Sequence, residues 1–150
     1  MAMTMTGEYQ LPASRATVWA KLNDADVLKR CIPGCEELNK ISDTEFQAVA
    51  TQKIGPVKAR FKGKVNLTDL DPPNGYKIVG EGDGGIAGFA KGGATVALAD
   101  KDGGTLLTYN VEAQIGGKLA QLGQRLVNGA AKKVADDFFQ KFANEFAAQP

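Results

Sequence analysis

The sequence contains no histidine, so general acid and base chemistry would fall to Tyr9, Tyr76, Tyr109, Glu112 or an aspartate. Tyr109 is in phase with Leu107, Val111 and Ile115 in an alternating segment, which turns it inward, where its hydroxyl could meet a bound carbonyl. An aromatic core residue with a hydrogen-bonded hydroxyl fits the same pattern. Glu112 is out of phase and faces solvent. No nucleophile and base can be paired by spacing, and no catalytic residue is assigned. Cys31 and Cys35 flank Ile32-Pro33-Gly34, with no other cysteine to complete a zinc site, so no metal ligand is assigned either. Their spacing is one residue longer than C-x-x-C, and no βαβ pattern surrounds it. The pair reads as two thiols beside a Pro-Gly turn at a helix exit, with a redox pair as the alternative.

What remains is binding, and the last 32 residues carry it. After Gly116-Gly117, the residues Leu119, Leu122, Leu126, Ala130, Val134, Phe138, Phe142 and Phe146 recur every three or four positions. They predict one unbroken helix, roughly 40 Å long, with a single apolar stripe. A stripe of that size needs a cover, and only the strand-rich region before it is large enough. The aromatic end (Phe138, Phe139, Phe142, Phe146) can seal the space between helix and sheet, whereas Ala120, Gly123, Gly129, Ala130 and Ala131 project little into it. The expected result is a pocket for an apolar small molecule, lined by Phe61, Val65, Tyr109, Val111, Leu122, Leu126, Ala130 and Phe138.

The elements that place these residues follow from periodicity. Residues 4–11 read as a strand. Pro12 to Asn23 reads as a short helix with Ser14 as N-cap, and a second short helix is capped by Asp24 or Asp26 and stopped by Pro33-Gly34. From Glu37 to Ile115 the period becomes two, with strands expected near 36–41, 44–54, 57–69, 75–83, 87–100 and 104–115. Turn signals separate them at Ile54-Gly55-Pro56, Asp71 to Gly75, Gly84-Gly85 and Asp100 to Gly104. Short connections imply antiparallel hairpins. The expectation is an α+β helix-grip fold, a curved antiparallel sheet of about seven strands (β-αα-β6-α) around a long C-terminal helix, as one domain over residues 1–150.

Two features allow more than one reading. The glycines of GEGDGGIAGFAKGG (80–93) run into a strand rather than a helix N-terminus, which argues against a phosphate loop. They mark sheet curvature; in addition Gly80 and Gly82 share a face with Tyr76 and Ile78, so their missing side chains would widen the pocket. The row Lys58, Arg60, Lys62, Lys64 is either a solvated face that discourages edge pairing or a docking surface for an acidic protein or anionic membrane. Eighteen basic against seventeen acidic residues, net +1, give no field that argues for nucleic acid. The opening MAMTMTGEYQ lacks the basic start and apolar stretch of a secretory signal, and no apolar run nears the ~18 residues of a membrane span. A soluble, cytoplasmic protein is expected.

The strings IPGCEEL (32–38), GFAKGGATVAL (88–98) and, most specifically, GGKLAQLGQRLV (116–127) resemble the CoxG family of carbon monoxide dehydrogenase subunits. That family lies within the helix-grip superfamily of START-like and polyketide cyclase proteins, and the resemblance runs from Gly7 to Phe146. It implies a non-catalytic accessory protein encoded with a molybdenum CO dehydrogenase-type oxidoreductase, supporting electron transfer or membrane recruitment. The implied ligand is a quinone or lipid whose tail lies under the last helix, with no covalent cofactor. The implied place is cytoplasmic, at times peripheral on the inner face of the cytoplasmic membrane. Many relatives continue past the last helix into a linker and membrane-binding tail, whereas this sequence ends at Pro150. Two rivals stand beside the carrier: a cyclase or hydrolase using Tyr109 or a buried carboxylate, and an assembly protein with a solid core that docks through its cationic strand face.

Overall fold

A computed structural model describes residues 1–147; positions 148–150, the end of the domain expected over 1–150, lie outside the described residues. The element order is β1 (Ala2–Leu11), α1 (Arg15–Leu22), α2 (Ala25–Cys31), β2 (Cys35–Ser42), β3 (Glu45–Ile54), β4 (Val57–Asp71), β5 (Gly75–Asp83), a 3-10 turn (Gly85–Ala87), β6 (Phe89–Lys101), β7 (Gly104–Gly116), α3 (Lys118–Gln121) and α4 (Gln124–Ala147). This is the α+β helix-grip arrangement. The strands form one antiparallel sheet in the order β1-β7-β6-β5-β4-β3-β2. Only the β1–β7 pair is remote in sequence, with Ala2 opposite Gln114 and Leu11 opposite Thr105.

Local chemistry explains the boundaries. Ser14 Oγ accepts the Thr17 amide at 3.3 Å, and Asp24 Oδ1 accepts those of Asp26 and Val27, so each short helix starts on a capping side chain. Asp24, rather than Asp26, is the second cap. The β6–β7 hairpin turns on Asp102-Gly103, both at positive φ (49° and 79°), the Asp-Gly chemistry of a two-residue turn whose twist matches the strands.

The expected single terminal helix is instead two. α3 ends at Gln121 with Leu122 as its C-cap, and Gly123 at φ 92° turns the chain before α4 begins. Gly123 closes α3 by donating its amide to the Ala120 carbonyl and opens α4 by accepting the Val127 amide at 3.1 Å. This elbow resets the helical phase. Leu119 and Val127 are buried, whereas Leu126, in line with them on a straight helix, is 40% exposed and leans on Gly55 of the β3–β4 turn.

Two apolar clusters lie between helices and sheet. One joins α1, α2, the middle of the sheet and the aromatic second half of α4: Leu11, Val18, Val27, Phe46, Tyr76, Val96, Leu107 and Phe142 are buried there. Phe138, Phe142 and Phe146 succeed one another at ring separations of 5.6 and 5.2 Å, and Phe139 stacks on Tyr9 at 4.3 Å. The other cluster, Met3, Ile115, Leu119 and Val127, is smaller and lies under α3 and the first half of α4.

Candidate ligand cavity

The alternation of β1, β4, β6 and β7 sends Met3, Phe61, Ala90, Ala113 and Ile115 to the concave side of the sheet. Above them, the phase set by Gly123 brings Val127, Ala130, Ala131 and Val134 of α4 to the underside of the helix. The small residues on both surfaces cannot meet. The result is a partly open cavity of about 510 Å³, with Leu119 and Ile54 also in its wall. Its volume lies within the roughly 300–1,000 Å³ typical of small-molecule sites. The polar side chains of the wall are Gln52 and Lys53 of β3 and Lys133 and Asp137 of α4. Gln52 Nε2 donates to the Pro33 carbonyl at 2.6 Å, and Lys133 Nζ pairs with Asp137 Oδ2 at 3.0 Å across one helical turn. Two larger depressions, about 660 and 930 Å³, run along the outside of the sheet among Lys64, Glu81 and Lys91. They are solvated grooves rather than apolar sites.

Of the residues expected to line a pocket, Phe61 and Ala130 do so. Tyr76 and Tyr109 are buried in the larger cluster, and Val65, Ile78, Val111 and Phe138 pack against it, with Val111 reaching the smaller one as well. Leu122 packs against the smaller cluster, and Leu126 lies outside the cavity for the reason given by the elbow. Gly80 and Gly82 do face inward; the room beside Gly80 is taken, whereas a Cβ on Gly82 would make only ordinary contact. A Cβ on Gly82 would lie 3.6 Å from the Phe61 ring and one on Gly80 3.3 Å from Val65 Cγ2. Gly82 and Gly84 lie against the Phe61 ring, and a Cβ on Gly84 would crowd it at 3.2 Å. The same device recurs where Tyr109 crosses Gly7, its register partner, and where Phe89 crosses Gly116. Met3, Ile54, Ala90, Ala113, Ile115, Leu119 and Val127 are not expected in the site from the sequence; the signal among them is the small pair Ala90 and Ala113, which faces Ala130 and Ala131.

None of Tyr9, Tyr76 and Tyr109 lines the cavity, whose wall carries one carboxylate among the described residues, Asp137. The Tyr109 hydroxyl lies over Gly7, where a Cβ would be 2.5 Å away. Burial pushes its pKa up, as it does for Tyr76. Beside it, Tyr9 donates to Asp136 Oδ1, and Asp136 Oδ2 accepts from Lys132 at 2.8 Å. Burial and then that carboxylate push the Tyr9 phenol up, whereas the Lys132 ammonium and then the Tyr9 hydroxyl pull Asp136 down. This chain ties α4 to β1 on the side away from the cavity rim. Cys31 and Cys35 are free thiols, and burial raises both, the direction that removes reactive thiolate. Glu112 is exposed, and so are Lys58, Arg60, Lys62 and Lys64, with Arg60 paired to Glu36 at 2.7 Å. No helix among the described residues is long and apolar enough to cross a membrane.

Known proteins place this geometry. A conserved protein from Geobacillus kaustophilus superposes with a TM-score of 0.90 at 36% identity, over 97% of this chain and 95% of that one. A START superfamily protein from Mycobacterium smegmatis does so with a TM-score of 0.71 at 11% identity, over 95% of each chain. The di-domain ARO/CYC protein BexL gives 0.71 at 14% identity, over 99% of this chain and 51% of that one. At such identities the last two establish the fold alone. No curated protein matches the sequence. Residues 7–147 match the family of carbon monoxide dehydrogenase subunits described as CoxG, and with nearly the whole chain inside that match, the protein belongs to this family.

Proposed function

We propose that the protein is a non-catalytic accessory protein that carries an apolar, quinone-like molecule in the cavity beneath α4, serving a molybdenum CO dehydrogenase-type oxidoreductase. One observation carries the reading: about 510 Å³ of space walled mainly by apolar side chains, with a few polar groups contributed by β3 and α4. That distribution suits a molecule with a greasy body and one polar head. The body would lie against Phe61, Ile115 and Val127, and the head near Gln52 and Lys53. Membership of the CoxG family supports the partner, and the START-like fold supports an apolar ligand. The cyclase or hydrolase alternative draws on the ARO/CYC likeness, but Tyr109 packs elsewhere, and the carboxylate in the cavity lining, Asp137, is part-exposed and paired with Lys133.

Ala130→Phe tests the reading, because it places a ring in the cavity. Titration with a short-chain ubiquinone analogue, followed by the fluorescence of the protein's one tryptophan or by native mass spectrometry, should give saturable binding to the wild type. The variant should bind at least about tenfold more weakly, while overpacking costs no more than about 1–3 kcal/mol of stability. Equal binding by both proteins would remove the cavity from the mechanism.

A further inference from the structure

One polar side chain of the cavity wall is fixed in place yet only partly used. Alternation along β3 puts Gln52 in phase with the buried Phe46 and opposite the buried Ala59, on the concave side of the sheet. Its neighbour Lys53 is out of phase and exposed, and Lys133 and Asp137 are paired with each other. Gln52 Nε2 donates to the Pro33 carbonyl at 2.6 Å. A carbonyl only accepts, so this contact decides which end of the amide meets the turn. The turn itself is pinned to β3. The Cys35 amide donates to the Ile32 carbonyl at 3.2 Å and the Thr51 amide to the Gly34 carbonyl at 2.9 Å, and a Cβ on Gly34 would lie 2.1 Å from the Thr51 carbonyl oxygen. Gln52 is thus held with its Oε1 and its second N–H free of protein partners among the described residues.

We propose that Gln52 selects the ligand's head group, and that the cavity holds the hydroxyl form of a quinone-like molecule, its quinol, more tightly than the carbonyl form. The proposal rests on the reading of the cavity as an apolar-ligand site, and it names the state of the molecule held there. A carbonyl can accept the one free N–H of Gln52 but leaves Oε1 without a donor in a mainly apolar wall. A hydroxyl donates to Oε1 and accepts as well, so neither group is left unpaired. The rest of the wall leans the same way: the Pro33 carbonyl and the Asp137 carboxylate are acceptors, whereas the Lys133 ammonium is already committed to Asp137. A site built around a ligand hydroxyl rejects the analogue lacking it. A host that prefers the reduced form also makes the bound molecule a stronger oxidant than the free one, by about 30 mV for each tenfold of preference in a two-electron couple.

Anaerobic titration of the full chain with the short-chain ubiquinone analogue, once oxidised and once reduced, tests it, with binding read by native mass spectrometry. The wild type should bind the reduced form about tenfold more tightly. Gln52→Leu, which keeps the bulk and removes the amide, should bind both forms alike, with the loss falling on the reduced form. The midpoint potential of the bound couple should follow, about 30 mV above that of the free analogue in the wild type and unshifted in the variant. The wild-type comparison decides the matter even where Gln52→Leu fails to fold. Equal binding of the two forms by the wild type, tighter binding of the oxidised form, or a Gln52→Leu variant that keeps the preference overturns the selection and leaves the cavity reading standing. A wild type that binds neither form overturns the cavity reading, and the selection with it.

Discussion

The two halves of the space beneath α4 are built from one helix and one sheet, yet one is filled and the other is hollow. In the second half of α4, Phe138, Phe139, Phe142 and Phe146 meet Tyr9, Tyr76 and Tyr109 of the sheet and the apolar faces of α1 and α2, and Phe142 is fully buried. In the first half, Ala130, Ala131 and Val134 face Ala90 and Ala113. The aromatic half holds the helix at a distance from the sheet that large side chains require; at that distance small ones leave a gap. Hollowness in one half is therefore a consequence of bulk in the other.

Phe142→Ala should have the largest effect on the filled half. Removing a fully buried ring should lower stability by about 3–5 kcal/mol, read as a shift in denaturant midpoint. Phe61→Ala, which only enlarges a space already present, should cost less than about half as much. Equal losses would mean that the two halves support the fold alike.

A second contrast lies within α4 and its elbow. Gly123 has φ 92°, which an L side chain rarely adopts, whereas Gly129 is helical with open space around its missing Cβ. Gly123→Ala should destabilise by about 1–2 kcal/mol, and Gly129→Ala should stabilise by about 0.5–1 kcal/mol. Thermal melts of both decide whether the break in the helix is required by the backbone.

A smaller effect is expected from the tie between α4 and β1. Asp136 is held below its ordinary carboxylate range by Lys132 and Tyr9, so its contribution is present above the unfolded-state pKa of about 3.9 and is lost as pH falls through the folded value. Asp136→Asn should therefore be less stable than the wild type at neutral pH and converge with it in strong acid. Melting profiles between neutral and low pH will reveal the convergence. The smallest change is expected at the rim, where Lys133→Ala breaks an exposed i,i+4 pair worth about 0.3–0.5 kcal/mol.

The sheet and its inner face were legible in the sequence because a period of two is a local property: Phe61, Tyr109 and Ile115 turn inward wherever their strands sit. The elbow was not. LAQLGQRLV keeps helical spacing straight through Gly123, and nothing in the spacing says that this glycine takes a positive φ. One misjudged phase moved Leu126 into the expected site and left out Val127. The cavity's position was hidden for another reason. Whether Val65 or Ala113 faces empty space depends on the height of α4 above the sheet, and the aromatic rings set that height from about two turns away. Alternation could say which residues point inward, but not which of them would find a neighbour.

The pairing of β1 with β7 has a consequence in time. Ala2 waits for Gln114, so while the chain is being synthesised its first strand has no partner until more than a hundred further residues have appeared. Helix α4 follows later still. Contacts so far apart in sequence form late and slowly, and the sheet's final edge and the roof of the cavity are completed together.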